Sequence, residues 1–222
     1  MSRLPNLLTS LRLVLALFTF FGLAGAALLS DKLTPASQFA LERWAVYAFV
    51  VAAVTDFFDG WLARRLNAVS LWGSVLDPIA DKVLVCGAIL GLLSLAPNAA
   101  VAIPAALILF REFTVSALRE VAGRKGVTLP VTLIAKWKTT LQLVALAAQL
   151  VVACWGAFGL SSDPEVLGPA TTGALVLLWL AAAVTLISGA QYWMQARHAL
   201  GGDHAPVSSD LVAEKPSPPV AG

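Results

Sequence analysis

Residues 44–81 read WAVYAFVVAAVTDFFDGWLARRLNAVSLWGSVLDPIAD. From Trp44 to Ala63 the stretch is apolar apart from Asp56 and Asp59. It is as long as a helix that crosses a bilayer, which needs about 20 residues at a rise of about 1.5 Å each. Asp56 and Asp59 stand three residues apart and so share one helix face. Asp77 and Asp81, four apart, do the same on the next helix. Two helices joined by a short cytoplasmic turn thus aim four carboxylates into one gap near the membrane surface.

The rest of the chain agrees with a membrane bundle. Of its 222 residues 59% are hydrophobic and 13% charged, with a mean hydropathy of +0.81. Soluble domains carry roughly 25% charged residues, so this chain has too few charges to cover a water-facing surface. Five further apolar stretches flank the first: Leu13 to Ser30, Ile79 to Ala96, Ala100 to Leu118, Thr139 to Leu160 and Val166 to Ala196. The expected architecture is therefore all-α and integral to the membrane, with six transmembrane helices. Residues 1–200 form the bundle, and residues 201–222, mixed in Gly, Pro, Ser and charge, form a disordered cytoplasmic tail. The first apolar stretch lacks a convincing cleavage site and reads as a retained span.

Charge is distributed unevenly. The connections Ser30 to Glu42, Pro97 to Ala99 and Gly159 to Gly168 hold one cation, Lys32. The other side collects Arg3, Arg12, Arg64, Arg65, Lys82, Arg119, Arg124, Lys125, Lys136, Lys138 and Arg197. This asymmetry places both termini, and the turn between Asp59 and Asp77, in the cytoplasm. A net charge of +2 is too small to suggest nucleic acid. Cys86 and Cys154 lie in apolar runs without metal-ligand spacing and read as packing residues. His198 and His204 fall after the last span and read as solvated.

Carboxylates beside an apolar span cost several kcal/mol unless paired, hydrated or bound to metal, and four together repel one another. A divalent cation removes both penalties, and an all-oxygen donor set favours magnesium or manganese over zinc. Gly60 leaves the backbone open to a ligand, and Ala63 keeps the helix surface low. Arg64 can form charge-assisted hydrogen bonds to a pyrophosphate. Gly73 either relieves the turn or admits a nucleotide.

The pattern Asp-x2-Asp-Gly-x2-Ala-Arg-x8-Gly-x3-Asp-x3-Asp, met without departure over residues 56–81, resembles the signature of the CDP-alcohol phosphatidyltransferases. That resemblance implies six transmembrane helices, a homodimer in a bacterial inner membrane, and a polar cavity open to the cytoplasm. It implies two metal ions, CDP-diacylglycerol as donor among the membrane lipids, and CMP as leaving group. Asp56, Asp59 and Asp77 would ligate metal. Asp81 would be the general base and touch a metal too. Gly60, Arg64 and Ser70 would hold the CDP portion, next to Ala63 and Gly73.

Three further segments resemble the branch of the family whose acceptor is glycerol 3-phosphate: PNLLTSLR at 5–12, REFTVS at 111–116 and AKWKTT at 135–140. A dianionic acceptor needs cations beyond Arg64. Arg111 sits inside an apolar span, where an unpaired guanidinium is expensive, and its neighbour Glu112 points elsewhere on the helix. Arg119 lies two turns on, near the same face, and Lys136 and Lys138 open the following span. These four are the candidate acceptor-phosphate ligands, although positive-inside anchoring alone would also put cations at those depths. Thr9 and Arg12 are expected to border the nucleotide, and Asn6 to cap the first helix.

Serine, inositol phosphate or phosphatidylglycerol are the alternative acceptors within the family. A transporter could also carry intramembrane carboxylates, but it would place them near the midplane on discontinuous helices.

Overall fold

The computed structural model describes the backbone of residues 3–66, 71–126 and 133–201, and the side chains of residues 7–56, 76–126 and 137–197. Within these residues the chain is helical and without strands. The elements are α1 (Arg3–Leu28), α2 (Pro35–Leu66), α3 (Leu71–Leu95), α4 (Ala99–Arg124), α5 (Leu133–Ala153), a 3-10 turn (Trp155–Phe158) and α6 (Pro164–Gly201). Among the described residues four stretches are long and apolar enough to cross a membrane: Leu7–Leu28, Leu76–Leu95, Ala99–Arg124 and Pro164–Arg197. A shorter apolar stretch, Trp137–Ala153, lies in α5. In α2, Glu42, Arg43 and Asp56 dilute the described portion. The protein is an all-helical, multi-pass membrane protein.

Most helices overrun the apolar stretches that announce them, because a helix needs apolar side chains only where lipid surrounds it. The segment from Ser30 to Glu42, read from sequence as a connection, is helical from Pro35. The Thr34 hydroxyl accepts from the Ser37 amide at 3.3 Å, and proline is well placed at the first helical position. Likewise α6 starts at Pro164, inside the expected loop from Gly159 to Gly168, with Asp163 Oδ1 accepting from the Glu165 amide at 3.1 Å. Asn98 caps α4, its side chain accepting from Ala100 N at 2.9 Å. Asn6 is not a cap, since α1 begins at Arg3.

The expected span from Thr139 to Leu160 is corrected at its end. The α-helix stops at Ala153, and a 3-10 turn runs to Gly159, which adopts φ +64°. Left-handed backbone favours glycine and ends helical pairing. The expected disorder beyond Gly201 lies outside the described residues.

Two groups of three helices make the bundle. In one, α1 lies along α2 and α3. In the other, α4 and α5 lie along α6, and the groups meet where α3 touches α4 and α5 and where α2 touches α5. Small residues bring α1 close to its neighbours. A Cβ on Gly22 would fall 2.9 Å from Ala45 Cβ, and one on Gly91 would fall 2.8 Å from Leu23 Cδ1. Without a hydrophobic drive between helices in lipid, such backbone proximity is what dispersion and packing require. Phe49, Leu84, Ile89, Ile108, Leu146 and Leu178 fill the shared core. Phe21, Phe110, Trp137 and Ile187 face outward. No helix among the described residues is discontinuous: α3, α4 and α6 run through Pro78, Pro104 and Pro169. That speaks against the transporter architecture.

Candidate active site

A cavity of about 360 Å³ opens between the two helix groups. Its acidic wall comes from α2 and α3, which contribute Asp56, Asp77 and Asp81. The helical spacing therefore does converge three carboxylates on one space. Asp59 lies on α2, but its side chain is outside the described residues, as are those of Gly60, Ala63, Arg64, Ser70, Gly73 and Lys136.

Helix α1 reaches into this wall. Arg12 is buried, and its Nη1 donates to Asp81 Oδ1 at 2.7 Å and pairs with Asp56 Oδ1 at 2.8 Å. The Thr9 hydroxyl donates to Asp77 Oδ1. Thr9 and Arg12, expected beside a nucleotide, are thus hydrogen-bonded to the signature aspartates themselves. One turn of α1 separates them, so a single helix face supplies both contacts. An arginine buried at this depth is tolerable because two carboxylates answer it.

The basic wall is built from three other helices. Arg111 and Arg119 come from α4, and Lys138 comes from α5. Arg111 is buried. Its Nη2 donates to Ser188 Oγ at 2.7 Å, and its Nη1 reaches Glu112 Oε1 only at 3.5 Å. Its Nε is buried without a hydrogen-bond partner among the described residues. The closer partner of Glu112 is Lys138. Glu112, expected from the sequence to point elsewhere on the helix, does reach Arg111, and its pairing with Lys138 was not anticipated.

Tyr192 of α6 organises both guanidinium groups. Arg119 Nη2 donates to its hydroxyl, and the Arg119 and Arg111 Cζ atoms stand 4.7 and 5.8 Å from the ring centroid. Such cation–π contacts contribute about 0.5–2 kcal/mol, more where water is excluded. Gly189, one residue beyond Ser188, makes room for the Arg111 stem, since a Cβ there would lie 2.8 Å from Arg111 Cγ. Ser188, Gly189 and Tyr192 were missed by sequence reasoning. Their signal is a polar and small cluster, Ser188-Gly189-Ala190-Gln191-Tyr192, inside an otherwise uncharged apolar run.

The oxygen donors of Asp56, Asp77 and Asp81 have the chemistry that magnesium or manganese requires. Among the described residues no three acidic, histidine or cysteine side chains converge closely enough to hold an ion. Here Arg12 stands against two of the carboxylates, and the Asp59 side chain is outside the described set.

Aspartates from two neighbouring helices thus face cations across one cavity, and comparison with known proteins shows the family to which the chain belongs. Residues 2–200 match the family model "CDP-alcohol phosphatidyltransferase". The chain belongs to the CDP-alcohol phosphatidyltransferase family, a family of enzymes. It is 36% identical over 231 residues to a Cereibacter sphaeroides protein, covering 87% of this chain and 95% of that one. It is 43% identical over 145 residues to a Rickettsia bellii protein, covering 65% and 74% respectively. A Shigella flexneri serotype 5b relative is 40% identical over 160 residues, covering 69% and 81%. All three relatives are named CDP-diacylglycerol–glycerol-3-phosphate 3-phosphatidyltransferase.

Proposed function

We propose that this protein transfers the phosphatidyl group of CDP-diacylglycerol to sn-glycerol 3-phosphate, releasing CMP and forming phosphatidylglycerophosphate in phospholipid biosynthesis. One observation carries the choice of acceptor. Among the described residues, the walls contributed by α4 and α5 bring Arg111, Arg119 and Lys138 to the cavity with one carboxylate, Glu112, which pairs with Lys138 and reaches Arg111. Two positive charges remain in excess there, which suits a dianionic phosphate and has no counterpart in a serine acceptor; among phosphate-bearing acceptors the shared name of the relatives favours glycerol 3-phosphate over inositol phosphate.

The acceptor hydroxyl attacks the β-phosphorus as the bond to the CMP oxygen breaks. Asp81 takes the hydroxyl proton, held toward the cavity by Arg12. Arg111, Arg119 and Lys138, with Lys136, bind the acceptor phosphate. Glu112 positions Lys138, and Tyr192 positions Arg119. Gly60, Ala63, Arg64, Ser70, Gly73, Thr9 and Arg12 receive the CDP portion of the donor. A pair of magnesium or manganese ions on Asp56, Asp59, Asp77 and Asp81 would supply Lewis-acid stabilisation of the pyrophosphate and of the departing CMP.

We further read all six helices as spans. At 21 residues α5 is roughly 31 Å long, matching a hydrocarbon core of about 30 Å, and the 32 residues of α2 are ample. The cation-rich connections argue for a cytoplasm-facing cavity with both termini on that side. A homodimer in the bacterial inner membrane completes the proposal.

The test is an acceptor panel. Purified protein, CDP-diacylglycerol and magnesium are offered glycerol 3-phosphate, serine, inositol phosphate and phosphatidylglycerol, and the lipid formed is weighed by mass spectrometry. Phosphatidylglycerophosphate as the main product is expected. Faster turnover of any other acceptor overturns the assignment.

A further inference from the structure

Gln142 lines the same cavity from α5, one turn beyond Lys138 and on the same helix face. The residue is 2% exposed, and its Oε1 has no hydrogen-bond partner among the described residues. Buried carbonyl oxygens are nearly always satisfied, and leaving one without a donor is costly. Its position in a cavity wall points to a ligand that donates.

The acceptor proposed above has three polar parts. Its phosphate is answered by Arg111, Arg119 and Lys138, and its attacking hydroxyl by Asp81. The middle hydroxyl, on C2, has no assigned partner. We propose that Gln142 hydrogen-bonds the non-reacting C2 hydroxyl of the acceptor, and so selects acceptors with a hydroxyl beside the one that attacks. A hydroxyl can both donate and accept, so the amide serves in either orientation about its terminal torsion. The inference rests on the glycerol 3-phosphate reading. It adds a basis for discrimination that phosphate-binding cations do not provide, since they hold any small phosphate monoester. Buried polar groups left unpaired by the wrong substrate are what make such discrimination strong.

The experiment compares kcat/KM for glycerol 3-phosphate with that for 3-hydroxypropyl phosphate, which lacks the C2 hydroxyl. Both are measured in the wild type, Gln142→Met and Gln142→Glu. The wild type is expected to prefer glycerol 3-phosphate by roughly ten- to a hundredfold. Gln142→Met should shrink that preference to about threefold or less, because methionine fills the space without a hydrogen bond of comparable strength. Gln142→Glu keeps an oxygen acceptor and should keep the preference while binding both phosphates more weakly. Equal use of the two acceptors by the wild type overturns the proposal without any variant. A preference that survives in Gln142→Met, or vanishes in Gln142→Glu, overturns it as well. A wild type that turns over neither phosphate but uses another alcohol would sink the acceptor reading on which this inference stands.

Discussion

On the α2–α3 side of the cavity, Asp56 and Asp81 share the guanidinium of Arg12, and Asp77 takes the Thr9 hydroxyl. On the α4–α5 side, Arg119 has no carboxylate partner among the described residues and leans on a tyrosine, while Arg111 leans on a serine. The acidic wall is thus partly neutralised by the protein itself, one guanidinium and one hydroxyl answering three carboxylates. The basic wall gives up one charge to Glu112 and stabilises Arg111 and Arg119 chiefly with neutral dipoles and a π-face. Neutral partners hold a guanidinium in place without cancelling the field it projects into the cavity. A wall arranged in this way remains attractive to an anion arriving from water.

The sharpest way to break this contrast is at the acidic wall. Asp77→Asn removes a carboxylate charge while keeping the side-chain shape. Loss of metal-assisted chemistry worth several kcal/mol corresponds to a fall in kcat of at least roughly a thousandfold. Normal membrane insertion and unchanged thermal stability should accompany that loss. Near-normal turnover of the purified variant at saturating magnesium would show that the acidic wall is not the chemical one.

An intermediate effect is expected at the basic wall. Arg111→Ala should raise the KM for glycerol 3-phosphate by roughly ten- to a hundredfold, the equivalent of about 1.5–3 kcal/mol for a charge-assisted hydrogen bond. The KM for CDP-diacylglycerol should change far less. Arg111→Lys should recover only part of the loss, since the planar fork is gone. The measurement is steady-state kinetics with each substrate varied against a saturating partner. A rise confined to the donor would remove Arg111 from the acceptor site.

The smallest effect sharpens the idea that neutral groups organise the cations. Tyr192→Phe keeps the ring beneath both guanidinium groups and deletes only the hydroxyl that Arg119 donates to. An increase of roughly two- to tenfold in the KM for glycerol 3-phosphate, at little changed kcat, is expected for one such hydrogen bond. No change in either constant would mean that the ring alone positions Arg119.

The two walls also differ in how visible they are in the chain. The acidic wall is legible because its aspartates fall within 26 residues on two consecutive helices, where three- and four-residue spacings fix a common face. Arg111 and Lys138 stand out as charges within or beside apolar spans. Their partners do not. Ser188 meets Arg111, and Tyr192 meets Arg119, across more than seventy residues of sequence. Which residues of α6 face α4 depends on helix packing, which no local spacing encodes. Gln142 was hidden for a related reason: a single amide in an apolar run stands out only once the cavity it lines is known. At the end of α5 hydropathy misled outright, because Trp155 to Phe158 are apolar yet lie in a 3-10 turn.

Gly189 gives α6 an uneven tolerance to sequence change. Elsewhere on this helix, at Gly168 and Gly173, a methyl group would meet nothing within 4 Å, so drift toward alanine there costs no contact and gains helix propensity. At Gly189 the same drift would drive a methyl group into the stem of Arg111. Natural variation along α6 should therefore be free at Gly168 and Gly173 and closed at Gly189. A variant at position 189 could express and insert normally and still fail to bind its acceptor. A screen for variants that are abundant yet inactive would single out this one apparently innocuous position.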